Sequence, residues 1–339
     1  MTHIIKISDL APGDVLLYQG VALISRAIQF LDGTDFSHAA LYLGEGMVGE
    51  AVSAGLERRS YAAGSAGLWV QAHRLKESVP TMAPVLNVAN AYLDQGNRYG
   101  YEQILLLAFL CLTRKLKVTP GLRALIRHTL DAAAALLTRL LSQHRQPMIC
   151  SEFVFRSYDE ALPAPNDPYS LWISSLVYSA APSTRMPPPD ARAFSTPPPS
   201  RGQGIHPQSL LALLSTSSAD TWLGPPPAKS PPSREADPGA LESAIETYLS
   251  EVQAPPGEHF APGKGPAPTL EDLREATDHF AAQLYAAAHP GEPPSRAQDA
   301  PPAVLRETLL RAAADFVTPG DLYKTQSLFL LGKIETQGA

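Results

Sequence analysis

The chain has 339 residues, a length typical of two average domains, and 45% of them are hydrophobic, which is enough for a sizeable core. The formal net charge of −6 argues against a dedicated nucleic-acid binder, and two cysteines exclude a disulfide scaffold and favour a reducing compartment. The first residues lack the apolar segment of a signal peptide, and no run of 18 apolar residues predicts a membrane-spanning helix. We therefore expect a cytoplasmic protein, with signal-independent export left open.

The first 178 residues predict alternating strands and helices. Apolar runs bounded by turn residues predict strands at 14–18, 36–43, 47–52 and 68–73. Apolar residues at helical spacing predict helices at 21–31, 81–93, 102–112 and 122–142, and a further helix from 150 to about 161. Gly44-Glu45-Gly46 separates two of the strands and predicts a hairpin.

The prolines are concentrated in the second half of the chain. There are 33, against roughly 17 at average usage, and fourteen of them lie between Pro182 and Pro238. Such a segment buries too little apolar surface to offset the entropy of ordering. We expect 182–302 to be a mostly flexible insert that carries two or three short helices, at 207–214, 240–253 and 269–288.

Two further segments follow this insert. Residues 303–339 predict a helix and then a turn and an apolar strand near 327–334. A strand this late in the chain needs a sheet to join, so we expect it to return to the N-terminal domain. The predicted organisation is a main domain beginning with 1–181, an insert at 182–302, and a closing segment at 303–339.

The hairpin predicts a contact between a histidine and a carboxylate. With a turn centred on Gly44, His38 lies directly opposite Glu50, at a Cβ separation of about 5 Å. A turn centred one residue later makes them diagonal neighbours on one face, whereas a half-step register separates them to opposite faces. A carboxylate beside an imidazole fixes its tautomer and stabilises the imidazolium.

Cys150 is the candidate nucleophile for this histidine. Pro147 suits a helix start, and a cysteine in the first turn lies at the positive end of the helix dipole, which lowers a thiol pKa. A lone intracellular cysteine is more often a small buried hydrophobe, and we assign that role to Cys111. The backbone N–H of Cys150 is also a candidate oxyanion donor.

These segments in this order resemble the permuted papain-like amidase family, the YiiX/YaeF-like relatives of the NlpC-type cysteine peptidases. The resemblance rests on Gly13-Asp14-Val15-Leu16, 36–44, Val48-Gly49-Glu50-Ala51, Tyr99-Gly100-Tyr101 and Cys150-Ser151-Glu152-Phe153-Val154. It implies an α+β fold, a circularly permuted papain-like (NlpC-like) domain with a small antiparallel sheet packed on helices. The order His, Glu, Cys is the one that a circular permutation produces.

The resemblance also implies roles and a reaction. Cys150 would be the nucleophile, His38 the general base and Glu50 the orienting acid, while Tyr99 would line the oxyanion or substrate site, with core packing as its alternative. The implied activity is a cysteine hydrolase acting on a peptide amide through an acyl-enzyme, with no metal or cofactor. One alternative is a lipid or ester acyl hydrolase or acyltransferase resembling lecithin:retinol acyltransferase. Another is a non-catalytic interaction module whose proline-rich segment binds partners.

The stretch 113–146 is basic and apolar. It holds seven Lys or Arg residues and one acid, Asp131, with leucines at helical spacing from Leu122 onward. We expect a helical subdomain with a solvated basic edge. The alternatives are a lid or a peripheral membrane contact, since basic amphipathic helices bind anionic lipid, or docking of the acidic segment 236–339, which has fifteen acidic and seven basic residues. The oligomeric state is left open.

Overall fold

The computed structural model shows an α+β protein built on one seven-stranded sheet. The structure describes residues 3–52, 55–64, 69–95, 98–99, 102–114, 119–143, 146–162, 167–173, 209–211, 238–253, 267–292, 296–297, 299–314 and 316–335.

The sheet is mixed and open, with the strand order β1-β9-β6-β2-β3-β4-β5. β1 runs parallel to β9, and every other pairing in this sheet is antiparallel. A second, two-stranded parallel sheet joins β7 to β8. The strands are β1 (Ile4–Ile5), β2 (Val15–Gln19), β3 (His38–Gly44), β4 (Met47–Val52), β5 (Gly55–Ser60), β6 (Trp69–Leu75), β7 (Arg98–Tyr99), β8 (Gln146–Pro147) and β9 (Leu328–Ile334).

Helices surround one face of this sheet, and most of them follow the apolar spacing of the sequence. They are α1 (Leu23–Asp32), α2 (Tyr61–Gly64), α3 (Ala83–Asp94), α4 (Glu102–Thr113), α5 (Pro120–Ser142), α6 (Cys150–Asp159), α7 (Pro238–Gln253), α8 (Leu270–Ala288), α9 (Pro302–Ala314) and α10 (Pro319–Lys324). Within the described residues, no helix is both long and apolar enough to cross a bilayer.

The strands and helices expected in the first 178 residues are present, with ends shifted by up to two residues. The expected small antiparallel sheet is larger and mixed, because β1 adds in parallel to β9. β5 was not anticipated: its Glu-Arg-Arg-Ser end lacks an apolar alternation. The late strand expected from the sequence is β9, and it pairs with β6 and β1 in the main sheet. The tail segment near 317–322, expected as a turn, contains the short helix α10.

Strand alternation divides the buried residues into two clusters. Ala39 and Leu41 of β3 face the helices and belong to the larger cluster, together with Phe153 and Val154 of α6. Ala40 and Tyr42 face the other side, where Ile5, Tyr61 and Ile334 help to cover a smaller cluster. Both sides of the sheet are therefore buried.

Two of the helices predicted within 182–302, at 240–253 and 269–288, pack against the main domain, whereas most of the one predicted at 207–214 lies outside the described residues. α7 and α8 are 16 and 19 residues long, and both lie against α5, with Tyr248 and Phe280 buried in the larger cluster. The proline-rich stretch 182–237, apart from Ser209–Leu211, lies outside the described residues, and so does the flexible linker predicted there.

Most of the described part of the basic stretch 113–146 lies in α5, and Arg127 pairs within and between helices. Arg127 binds Asp131 of its own helix, with Nε 2.8 Å from Oδ2, and Glu275 of α8, with Nη1 3.2 Å from Oε2. Thr119 donates to the Glu251 carboxylate of α7 at 2.6 Å. At Arg127, therefore, α5 binds the acidic segment that follows the proline-rich stretch.

Candidate active site

His38 and Glu50 are in direct contact. His38 is the first residue of β3, and its Nε2 lies 2.8 Å from Oε2 of Glu50 on β4. The Glu50 side chain is 4% exposed and that of His38 is 16% exposed. Because Nε2 is engaged by the carboxylate, the ring nitrogen that would exchange a proton with a nucleophile is Nδ1.

The β3–β4 register that produces this contact has its turn centred one residue after Gly44. Leu41 pairs with Gly49 and Tyr42 with Val48, and the register shifts by one residue before Gly44. Extending this register places Glu50 opposite Ala40, which is two residues from His38. His38 and Glu50 are therefore diagonal neighbours on one face, as in the alternative with a turn centred one residue after Gly44.

Glu50 also binds a cation that the sequence did not indicate. Arg59 of β5 donates from Nη1 to Oε1 of Glu50 at 3.1 Å, so each carboxylate oxygen has its own partner. Burial opposes ionisation of Glu50, but the hydrogen bonds and charges of His38 and Arg59 outweigh it and hold its pKa below the usual value. Glu50 is therefore a carboxylate near neutral pH.

Tyr18 supports the imidazole from the neighbouring strand. It lies opposite His38 in the pairing of β2 with β3, and the ring centroids are 5.2 Å apart with the planes tilted by 59°. Burial and the nearby Glu50 raise the pKa of Tyr18, so it is a neutral phenol. The ring of His38 is thus held by an aromatic contact as well as by a carboxylate.

Cys150 is the first residue of α6, as the sequence predicted. Ile149 precedes it in an extended conformation, and its backbone N–H points to Glu152 Oε2 at 3.4 Å. Glu152 is also bound to Arg156, with Oε1 2.7 Å from Nε, so its contacts stabilise the helix. The Cys150 N–H belongs to the first turn of α6, where the positive end of the helix dipole suits an oxyanion.

The direction of α6 places Cys150 toward the beginning of β3. At the far end of the helix, Tyr158 donates to the carbonyl of Gly13, whose own N–H bonds Tyr42 near the end of β3. Nearer the start, the ring of Phe153 packs over Gly49, where a Cβ would lie 3.2 Å from Cζ. α6 therefore runs antiparallel to β3, and Cys150 and His38 lie toward the same end of the sheet.

Cys150 and His38 approach this end from different sides. The Cys150 side chain belongs to the helix-covered cluster and is fully buried, whereas strand alternation directs His38 and Glu50 to the other face. Proton transfer between them requires the imidazole to reach the thiol around the start of β3, where His38 is the first residue.

The C-terminal tail holds the first turn of α6. Ser151, which follows Cys150 and is fully buried, donates to the carbonyl of Val317 at 2.7 Å. The next residue, Thr318, caps α10: its hydroxyl accepts from the N–H of Asp321 at 3.0 Å. The turn that carries Cys150 is thus tied to the segment leading into β9.

A buried network fixes this tail to the rest of the domain. The carboxylate of Asp32, at the end of α1, binds Nη2 of Arg114 at 2.6 Å, the hydroxyl of Thr318 at 2.9 Å and the N–H of Gly320 at 2.8 Å. A Cβ at Gly320 would collide with that carboxylate, which explains glycine there. Burial raises the pKa of Asp321 to about 7; Arg114 opposes this rise and Asp32 adds to it.

Tyr99 lies near Cys150 in the backbone topology. β7 pairs with β8, and Tyr99 is the register partner of Pro147, three residues before Cys150. Its side chain lies outside the described residues, so its expected role at the oxyanion or substrate site stays a prediction.

A cavity of about 600 Å³ opens at this end of the sheet, next to the segment that leads into β3. Phe36, two residues before His38, forms part of its wall, and Trp69 pairs with Gln19 at the end of β2. His38, Glu50 and Cys150 are not among its lining residues, and its wall combines charged, polar and aromatic side chains. The lining includes Arg26, Gln29, Asp35, Phe36, Trp69 and Gln71.

Among the described residues, no group of three or more His, Cys, Asp or Glu side chains is arranged to hold a metal ion. Comparison of the chain with protein-family models, with curated proteins and with solved structures found no match. The chemistry of the site is therefore argued from its own geometry.

Sequence reasoning missed Arg59 and Tyr18. Arg59 lies in β5, a strand that was not predicted, although Gly55, with φ of 139°, marks its start. Tyr18 was assigned to a strand, but only the pairing of β2 with β3 reveals that it faces His38.

Proposed function

We propose that the protein is a thiol hydrolase with a circularly permuted papain-like fold, in which Cys150 is the nucleophile, His38 the general base and Glu50 the orienting carboxylate. The observation that carries the proposal is the 2.8 Å contact between His38 Nε2 and Glu50 Oε2. Because Glu50 binds Nε2 of His38, the other ring nitrogen, Nδ1, is the one that can exchange a proton with the nucleophile. A catalytic triad requires this arrangement of an orienting carboxylate and a proton-transferring imidazole. The position of Cys150 at the start of a helix supplies the candidate thiolate.

The reaction follows from these roles. His38 takes the Cys150 proton, and the thiolate sulfur bonds the carbonyl carbon of the substrate, whose oxygen becomes an oxyanion near the first turn of α6. The imidazolium returns its proton to the leaving amine as the carbon–nitrogen bond breaks. Water then attacks the thioester with His38 as base, which releases the acid and restores the thiol.

The cavity favours a peptide amide over a lipid acyl group as substrate. Arg26 and Asp35 supply opposite charges and Gln29 an amide, while Trp69 and Phe36 are stacked with ring centroids 5.7 Å apart. Charged and amide groups suit the backbone and polar side chains of a peptide better than a long acyl chain, which gains most from an apolar lining.

Mass spectrometry of trapped acyl-enzymes tests this proposal. The full-length protein is incubated with matched peptide amide, peptide thioester and fatty-acyl ester probes of one reporter group. We expect an acyl adduct on Cys150 from the peptide probes, its loss in Cys150→Ser, and its retention in the matched variant Cys111→Ser. An adduct from the fatty-acyl ester alone would favour the acyl-transfer alternative. No adduct from any probe would favour the non-catalytic module.

A further inference from the structure

Arg59 and His38 each bind one oxygen of the Glu50 carboxylate. One oxygen, Oε1, accepts from Arg59 at 3.1 Å, and the other, Oε2, bonds the imidazole at 2.8 Å. The Arg59 side chain is 33% exposed while that of Glu50 is 4% exposed, so the guanidinium covers the carboxylate on its solvent side. Each partner therefore limits how far the carboxylate can rotate away from the other.

The surroundings of Glu50 give this ion pair an electrostatic consequence. The titratable groups that face it are His38 from β3, Arg59 and Glu57 from β5, and Tyr18 from β2; Glu57 is its cross-strand partner. Tyr61 at the start of α2 lies beside Tyr18. A buried anion interacts strongly with every neighbouring charge because little water screens it. The charge of Arg59 thus directly affects how strongly Glu50 stabilises an imidazolium.

We propose that Arg59 is a positioning residue that holds Oε1 of Glu50 and offsets part of the negative charge that Glu50 presents to the imidazole of His38. In catalysis, which rests on the proposed function, His38 has to accept a proton from Cys150 and then release it to the leaving group. A carboxylate without a counter-ion would hold the proton on His38 too firmly for the second step. Arg59 weakens that hold and itself exchanges no proton.

The neighbouring Arg58 is a matched control. It lies on the same strand but faces the other side, where it binds Asn90 Oδ1 at 3.0 Å and Asp94 Oδ1 at 2.8 Å. Its side chain is 38% exposed, close to the value for Arg59. Substitution of Arg58 removes one positive charge from the same strand and leaves the contacts of Glu50 in place.

The test is an NMR titration of the His38 imidazole in the full-length protein. A Cys150→Ser background removes the thiol, so the titration reports on His38, Glu50 and Arg59 without the nucleophile. The His38 resonance is assigned by its loss in His38→Gln. We expect Arg59→Gln to raise the titration midpoint of His38 by about one pH unit, as expected for loss of a nearby positive charge. Arg58→Gln should leave the midpoint unchanged.

Arg59→Lys gives a second comparison if Arg59→Gln does not fold. It keeps the charge but replaces a planar fork by a flexible ammonium. Because the mobile ammonium lies less closely on Oε1 and offsets less of the Glu50 charge, we expect an upward shift smaller than that of Arg59→Gln and larger than that of Arg58→Lys. A midpoint that is unchanged, lowered, or shifted equally by the Arg58 variants overturns the proposal.

This titration is independent of the proposed hydrolase activity. If Cys150 forms no acyl adduct but Arg59→Gln shifts the His38 midpoint, the hydrolase proposal fails and the role of Arg59 stands. If Cys150 forms the adduct but the midpoint does not respond, the role of Arg59 fails alone.

Discussion

His38 and Glu50 are bonded across the β3–β4 hairpin although they are not opposite each other in its register. The shift before Gly44 moves Glu50 beside Ala40, and the imidazole reaches diagonally to the carboxylate at 2.8 Å. Diagonal neighbours on one face of a sheet remain within reach of long side chains. His38 and Glu50, twelve residues apart, therefore still meet after this shift. A half-step change of register would instead place them on opposite faces of the sheet.

Removal of the Glu50 charge should slow the chemistry of Cys150. Glu50→Gln leaves a group that can still bond His38 Nε2 but no longer stabilises an imidazolium electrostatically. We expect the alkylation rate of Cys150 by iodoacetamide at pH 7 to fall about three- to tenfold, as for a loss of about 1 kcal/mol of interaction. Glu45→Gln, exposed in the turn of the same hairpin, is the control and should change the rate less than twofold.

Loss of the Ser151 hydroxyl should destabilise the domain and loosen the first turn of α6. Ser151 bonds the tail at Val317, whereas Ser157, equally buried on the same helix, bonds the Phe153 carbonyl one turn back. We expect Ser151→Ala to lower the free energy of unfolding by about 1–2 kcal/mol in urea denaturation, because a buried carbonyl loses its donor.

Ser157→Ala is the matched control for this measurement, since the Phe153 carbonyl also belongs to the helix ladder. Its cost should be smaller, below about 1 kcal/mol. Equal costs for the two variants would show that the link between α6 and the tail contributes nothing of its own.

Asp321 should make stability fall as pH rises. Its folded pKa of about 7 lies above the unfolded value near 3.8, so between these values the folded state binds more protons than the unfolded state. Its contribution to stability is thus fully present below about pH 4 and is lost as pH rises through 7. The loss amounts to at most about 4 kcal/mol.

Asp321→Asn removes this titration while an amide oxygen remains for the N–H of Thr318, which Asp321 Oδ2 accepts at 2.9 Å. We expect the variant to gain stability relative to the natural chain between pH 5 and pH 8 in urea denaturation. Parallel pH profiles of the two proteins would contradict the assignment.

Local pattern predicted the hairpin, the helix start at Cys150 and the pairing of His38 with Glu50. These features depend on turn residues, apolar periodicity and short sequence separation. The other contacts of the site could not be predicted from local sequence patterns. Arg59 depends on a polar strand held in place by its neighbour β4, and Ser151 depends on a tail segment 166 residues away along the chain. Such long-range contacts follow from three-dimensional packing rather than from any local periodicity.

The central claim is that Cys150 is activated by His38. Cys111 provides the internal reference: it is equally buried, but it lies within α4, where burial raises its thiol pKa to about 12. The most direct measurement is the pH dependence of iodoacetamide alkylation at each cysteine of the folded protein, read by mass spectrometry, with and without His38→Ala. We predict that Cys150 reacts at least tenfold faster than Cys111 at pH 7, and that His38→Ala slows Cys150 alone. Equal rates at the two cysteines, or a Cys150 rate unchanged by His38→Ala, would contradict the account.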